Sequence, residues 1–227
     1  MIVAEPKPVD EIIRTIAPYE KVLILGCGTC VAVCNAGGER EVSFLQHALQ
    51  VAQERDKDMH HTFSEYTLKR QCDPEFFDTL ETRMEDLDAV LSLACGIGVQ
   101  GVAMRFPDVP VLPGVNTNFL GLANEQGIWD ECCSACGDCR LAETGGICPI
   151  TRCTKGIING PCAGTKNGKC EASKDMDCAW VDIYQRLELL GQLDKMRKYQ
   201  PPRNFQAVPR PRRVVIRANP KPGEVND

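Results

Sequence analysis

"KVLILGCG", residues 21–28, is an unbroken apolar run closed by glycine, cysteine and glycine. A strand with one solvated face alternates apolar and polar residues. A run without alternation suits a strand covered on both faces, as in a parallel sheet between helices. "DAVLSLACG" (88–96) repeats the pattern, "VPVLPGVN" (109–116) supplies a third strand, and "FSEYTL" (63–68) is strand-like. The connecting segments are helical. Residues 8–17 read as a short helix behind a proline-containing arm. Residues 39–55 place Val42, Leu45, Ala48, Leu49 and Ala52 at helical spacing, and a further helix is expected over 73–84. Strand–helix alternation with short connections predicts an α/β fold, with an open parallel-sheet domain of Rossmann or flavodoxin type over residues 1–125.

Beyond this domain the pattern changes. From Ile128 to Asp177 glycine, cysteine and small polar residues dominate, and neither the strand nor the helix period is sustained. Such a stretch cannot build a core from its own side chains, so another agent must hold it together. A closing helix follows at 179–199, with Trp180, Ile183, Leu187 and Leu190 near one face. Residues 126–199 are therefore expected to form a small cysteine-rich metal or cluster module with its helix. Residues 200–227 form an extended proline- and arginine-rich tail, carrying Arg203, Arg210, Arg212, Arg213, Arg217 and Lys221 against Glu224 and Asp227. Proline limits the tail's chain entropy and arginine is favoured at interfaces, so a strap that docks on a partner is the sharper reading of this segment.

The 227 residues carry a formal net charge of −5, which gives no global basic field to recruit nucleic acid. No apolar run is long enough to span a membrane. The start, "MIVAEPKPVDEIIRT", lacks the basic opening and apolar core of a signal peptide, so a cytoplasmic chain is expected. In that compartment thiols stay reduced, and 14 cysteines in a chain of this size are better explained by ligation than by disulfides.

The cysteines fall into two sets. In open α/β sheets ligands bind beyond the carboxyl ends of the strands. Cys27 follows the first apolar strand, Cys95 ends the 88–96 strand, and Cys72 comes soon after the middle strand. If the strands are parallel, these three thiols share one edge, and Cys30 and Cys34 add two more from the next loop and first helical turn. Five such thiols supply the four thiolates of a [4Fe–4S] cluster with one to spare. Cys34 and Cys72 also have a plain reading as small buried hydrophobes. Cys27 and Cys95 adjoin glycines that clear space for a ligand. "GCGTCV" fails as a dinucleotide fingerprint because Val31 stands at the third glycine, and no phosphate-binding P-loop occurs.

The second set crowds into residues 132–178. Cys133, Cys136 and Cys139 repeat at threes, as in bacterial ferredoxin sites, and Cys148 precedes Pro149 as the closing cysteine of that motif does. The gap of eight residues before Cys148 makes the match partial. Cys153, Cys162, Cys170 and Cys178 complete two potential four-thiolate sites, leaving Cys132 as the bystander. The histidines, His47, His60 and His61, all lie outside this module. Ligand type and spacing favour iron–sulfur here, with all-cysteine zinc as the alternative. No nucleophile–base pair or acid/base carboxylate pair is evident, so no catalytic residue is expected. Glu131, Asp138, Glu143 and "KRQCD" (69–73) read as solvated surface.

"GIINGPCAGTKNGKCE" with "DCAWVDIYQRL", taken together with "GCGTCVAVCNAGGE" and "ACGIGVQ", resembles the MetV-type small subunit of bacterial methylenetetrahydrofolate reductase. The same module occurs in the family called methylenetetrahydrofolate reductase C-terminal, zinc-binding-type domain. The resemblance implies a non-catalytic subunit of an oxidoreductase complex. It would pair with a flavin-containing MetF-type subunit in one-carbon metabolism of the acetyl-CoA (Wood–Ljungdahl) pathway. Two or three [4Fe–4S] clusters would relay electrons toward the partner's flavin, and further electron-donating subunits are possible. A zinc-stabilised, non-redox assembly subunit of the same complex is the alternative.

Overall fold

The computed structural model describes residues 1–56, 59–203, 205 and 210–214. The chain divides into two compact units, Met1–Cys132 and Cys133–Asp227.

The first unit opens with β1 (Ile2–Pro6), α1 (Val9–Ile16) and β2 (Lys21–Cys27). A single-turn α2 (Cys30–Val33) and the long α3 (Glu39–Arg55) lead to β3 (Thr62–Leu68). A 3₁₀ helix (Pro74–Arg83) precedes β4 (Ala89–Ser92), α4 (Gly96–Arg105) and β5 (Val111–Pro113). The chain then forms β6 (Val115–Glu125) and β7 (Ile128–Cys133).

The parallel sheet has the order β3-β2-β4-β5. In register, Cys27 lies opposite Leu68 of β3, Leu25 opposite Ser92 of β4, and Val90 of β4 opposite Val111 of β5. The lack of alternation in β2 has a direct cause, since each face of the strand meets its own core. Val22 and Ile24 pack with Ile12, Ile16, Val42, Leu45 and Leu49 from α1 and α3. Leu23 and Leu25 pack with Phe77, Leu80, Met84 and Val102 from the 3₁₀ helix and α4. Each such side chain stabilises the fold by about 1.5–3 kcal/mol through burial.

The chain leaves β2 toward β3 on one side and returns to β4 on the other. That reversal places a crevice beyond the carboxyl ends of β2 and β4, where ligands bind in sheets of this kind. The loop after β2 is drawn back over this end. The Cys27 amide donates to the Gly37 carbonyl at 2.8 Å, and Gly37 packs so tightly that a Cβ there would lie 1.9 Å from the Leu93 carbonyl oxygen. The Gly38 amide then donates to the Glu41 carboxylate at 2.9 Å and starts α3.

Several local expectations change. The proline-containing arm is a strand: β1 pairs antiparallel with β6, from Ile2–Leu120 to Pro6–Val115, in a second sheet of order β1-β6-β7. The expected strand at 109–116 is split, because the chain passes at Gly114 from β5 of one sheet to β6 of the other. The segment after Asp73 is 3₁₀ rather than α-helical, with the Asp73 carboxylate accepting from the Glu75 amide. The first unit runs to Cys132, where patterning placed a boundary at 125, because β6 and β7 belong to its second sheet.

The second unit contains α5 (Pro149–Arg152), the antiparallel pair β8 (Lys169–Cys170) and β9 (Ser173–Asp177), α6 (Ala179–Leu189) and a 3₁₀ turn (Leu193–Arg197). The expected closing helix stops at Leu189 because Gly191 adopts a left-handed φ of +66°. Its core is small. Trp180, Ile183 and Leu187 are buried, surrounded by Ile147, Cys153, Cys178, Leu193 and Met196. The Trp180 indole N–H donates to the Ile157 carbonyl at 3.0 Å. Of the tail, Arg203, Arg210, Arg212 and Arg213 are described, while Arg217, Lys221, Glu224 and Asp227 lie outside the described residues. Among the described residues, no helix is long and apolar enough to cross a membrane.

Candidate functional site

Strand polarity alone brings three thiols to one edge. Cys27 is the last residue of β2, Cys72 follows the end of β3, and Cys95 caps the amino end of α4 just beyond β4. They are near enough to influence one another. Burial first, then the neighbouring Cys27 and Cys95, push the Cys72 thiol above its ordinary pKa. Cys72 is nonetheless exposed, at the rim of a groove of about 510 Å³ whose apolar wall includes Phe77, Ile97 and Met104. Cys27 is buried and Cys95 half-buried.

Cys30 and Cys34 behave differently. Cys30 opens α2 and is half-buried. Cys34 packs into the core beneath the sheet, where its thiol donates to the Ala4 carbonyl at 3.5 Å and lies 3.6 Å from that of Val31. Burial pushes that thiol up. The structure thus places Cys34 as a small buried hydrophobe with its proton committed to backbone.

A fully buried glutamine ties the edge together. Gln71 belongs to the "KRQCD" segment that reads as solvated in sequence, yet it is 0% exposed. Its amide Nε2 donates to the Leu25 and Gly26 carbonyls, both at 2.9 Å. Its Oε1 accepts from the Ser92 hydroxyl at 2.7 Å, and that hydroxyl accepts from the Ala94 amide at 3.2 Å. No sequence signal distinguishes this residue from a loop glutamine; only the closure of the sheet buries it.

In the second unit two sulfurs at strand ends accept hydrogen bonds from the backbone that follows them. The Ala135 amide donates to the Cys133 sulfur at 3.4 Å, with Ala135 held at φ +50°. The Ala172 backbone N–H, then the Thr154 hydroxyl, hold the Cys170 thiol below its ordinary pKa. In both cases the donor is two residues after the cysteine, and at Cys170 hydrogen bonding to the charged form favours it. A left-handed alanine costs roughly 1–2 kcal/mol, so the Cys133 loop keeps its shape against a penalty.

Cys136 approaches the Asp138 carbonyl at 3.5 Å, and Cys148 donates to the Thr151 hydroxyl at 3.6 Å. Cys153 and Cys178 flank the small core. Cys139 and Cys162 are exposed, and Cys132 donates to the Asp130 carbonyl. Of the flanking acids, Asp138 pairs with Arg140 at 2.8 Å, and Glu143 keeps one carboxylate oxygen shielded without a partner, unlike a solvated charge.

The histidines take no part. His47 and His61 each hold a backbone carbonyl at 2.7 Å, those of Ser43 and Tyr19, and His60 is exposed. Among the described residues no three His, Cys, Asp or Glu side chains converge as a metal-holding group. The fit to a metal or cluster therefore rests on donor chemistry. Thiols dominate, Cys170 is held toward thiolate, and three share the sheet edge, which suits iron–sulfur or all-cysteine zinc.

No curated protein and no solved structure matches the chain. Residues 112–206 match the family model described as methylene-tetrahydrofolate reductase C terminal. This span holds the whole second cysteine set and the α6 core, and it ties the chain to methylenetetrahydrofolate reductase. Over residues 112–206 the chain is similar to the methylene-tetrahydrofolate reductase C-terminal domain family.

Proposed function

We infer that the chain is an electron-transfer subunit that carries [4Fe–4S] clusters and serves a flavin-containing methylenetetrahydrofolate reductase partner. The observation that carries this reading is the gathering of Cys27, Cys72 and Cys95 at the switch point of the parallel sheet. Cys30, which opens α2 just after Cys27 in the chain, would supply a fourth thiol of the kind that hold a cubane. Cys133, Cys136, Cys139, Cys148, Cys153, Cys162, Cys170 and Cys178 would hold the remaining clusters in the second unit. Bound at these thiols, iron–sulfur clusters supply one-electron relay chemistry. The chain's own residues bind and shelter the donor atoms: Gly37 closes the loop over the edge, the Ala135 amide donates to the Cys133 sulfur, and the Ala172 amide stabilises charge on that of Cys170. The exposed Cys72 puts one ligand at the surface, where a partner's flavin could approach.

Anaerobic purification of the full chain tests the reading. Brown protein that bleaches on reduction and holds roughly 8–12 iron atoms, as two or three cubanes require, supports it. Colourless protein with stoichiometric zinc sinks the relay and assigns the thiols to a zinc-stabilised assembly subunit.

A further inference from the structure

The hydrogen-bond network around Gln71 has a particular relation to the sheet-edge thiols. Its members include Gly26, Gln71 and Ala94, and each is followed in sequence by a cysteine: Cys27, Cys72 and Cys95. Three backbone segments distant in sequence are thus joined through two linked side chains, Gln71 and Ser92, one residue before each thiol. We propose that the Gln71–Ser92 network is the positioning device that sets the mutual geometry of Cys27, Cys72 and Cys95 for ligation.

Economy of packing supports this role. An apolar side chain of similar volume could fill the space below the strand ends and would need no partners. A buried amide, by contrast, costs roughly 1–3 kcal/mol for each group left unpaired, so its bonds must all form together. Here the amide nitrogen makes two bonds, the amide oxygen one, and the Ser92 hydroxyl both donates and accepts. Fully satisfied buried networks of this kind select one arrangement of the backbone rather than adding bulk stability. Helix α4 makes room for the residue. A Cβ on Gly98 would lie 2.8 Å from the Gln71 Cβ, and one on Gly101 would lie 2.8 Å from the Gln71 carbonyl oxygen. Gln71 is a positioning residue, acting on the sulfurs through the backbone.

The proposal rests on the sheet edge being a metal-binding site, and the experiment separates the two. The full chain, stripped of metal and kept reduced, is titrated with Co²⁺ and followed by its sulfur-to-metal absorption and ligand-field bands. The triple variant Cys27→Ser, Cys72→Ser, Cys95→Ser defines the sheet-edge share of the signal. Gln71→Met, close in shape but without the hydrogen bonds, is then expected to weaken that share by about 10–100-fold and alter its ligand-field bands. The second-unit share stays as in the parent. If the triple variant leaves the spectrum unchanged, the edge binds no metal, and both the site and the positioning role fall. If the triple variant removes signal but folded Gln71→Met binds Co²⁺ as the parent does, the site stands and the positioning role is overturned, even where the melting temperature drops. Should Gln71→Met fail to fold, Ser92→Ala carries the test. It removes one bond to the amide oxygen and is expected to weaken the edge share several-fold, and unchanged affinity overturns the proposal.

Discussion

Replacing Leu187 with alanine removes the centre of the second unit's core and measures how far that unit stands on its own apolar contacts. Leu187 is 0% exposed, and among the described residues only Trp180 and Ile183 share its cluster as buried residues. Burial of a leucine side chain is worth about 1.5–3 kcal/mol, and the cavity left by Leu→Ala raises the cost to roughly 2–5 kcal/mol. Relaxation into the space is limited, because Leu187 backs onto the left-handed Gly145 turn, where even an added Cβ would touch it at 3.4 Å. A cost of about 3 kcal/mol multiplies the open population by roughly a hundred, at about 1.4 kcal/mol per tenfold. The first unit's clusters share no residue with this one. Hydrogen exchange read by mass spectrometry on the metal-stripped chain is the suitable assay, since bound metal would add its own stabilisation. Protection of the amides in α6 is expected to fall about a hundred-fold while those in β2 and β4 keep theirs. Equal loss in both units, or none in α6, would falsify the idea of a small and separate core.

Other perturbations have equally definite outcomes. Gly37→Ala, whose Cβ would meet the Leu93 carbonyl oxygen at 1.9 Å, is expected to cost the first unit about 1–3 kcal/mol or more in a denaturant melt; a wild-type midpoint would contradict the close packing. In the metal-stripped chain, alkylation followed across the neutral range should modify Cys170 at lower pH than Cys72, and Cys34 last of all. The thiolate is the reactive form; hydrogen bonds hold Cys170 low, whereas burial raises Cys72 and Cys34. Truncation after Tyr199 removes the bonds of Gln200 to Asn159 and of Arg210 and Arg212 to the Ser134 and Ala135 carbonyls. It is expected to weaken co-purification with the proposed reductase partner, and full-strength co-purification would end the strap reading.

The parallel sheet was legible because its evidence is local. "KVLILGCG" and "DAVLSLACG" state in one window that both strand faces are dry, and the structure packs Val22 and Ile24 one way and Leu23 and Leu25 the other. The second sheet was not legible, because β1 meets β6 more than a hundred residues later, and nothing in "MIVAEP" announces that partner. The 3₁₀ run after Asp73 escaped for a related reason. Its apolar residues Phe77 and Leu80 are three apart, which α and 3₁₀ periods both allow, and only packing against Leu23 and Leu25 decides.

The site divides along the same line. Cysteines are conspicuous in a sequence, so strand position sufficed to place Cys27, Cys72 and Cys95 at one edge, while Cys34 stayed open between a ligand and a small buried hydrophobe. Its sulfur is withdrawn by Ala4, a residue of the strand that the sequence did not disclose. Gln71 fails in the opposite sense. Beside Lys69, Arg70 and Asp73 it looks solvated, and its burial follows only when β2 and β4 lie side by side and their last carbonyls and hydroxyl point at one place. Each error comes from a contact between segments that the chain order separates. A binding edge in a parallel sheet is made of such contacts, since every strand contributes one end. The thiols at such an edge can be named from sequence, but the residues packed beneath them, Gln71 and Ser92 here, emerge only with the topology.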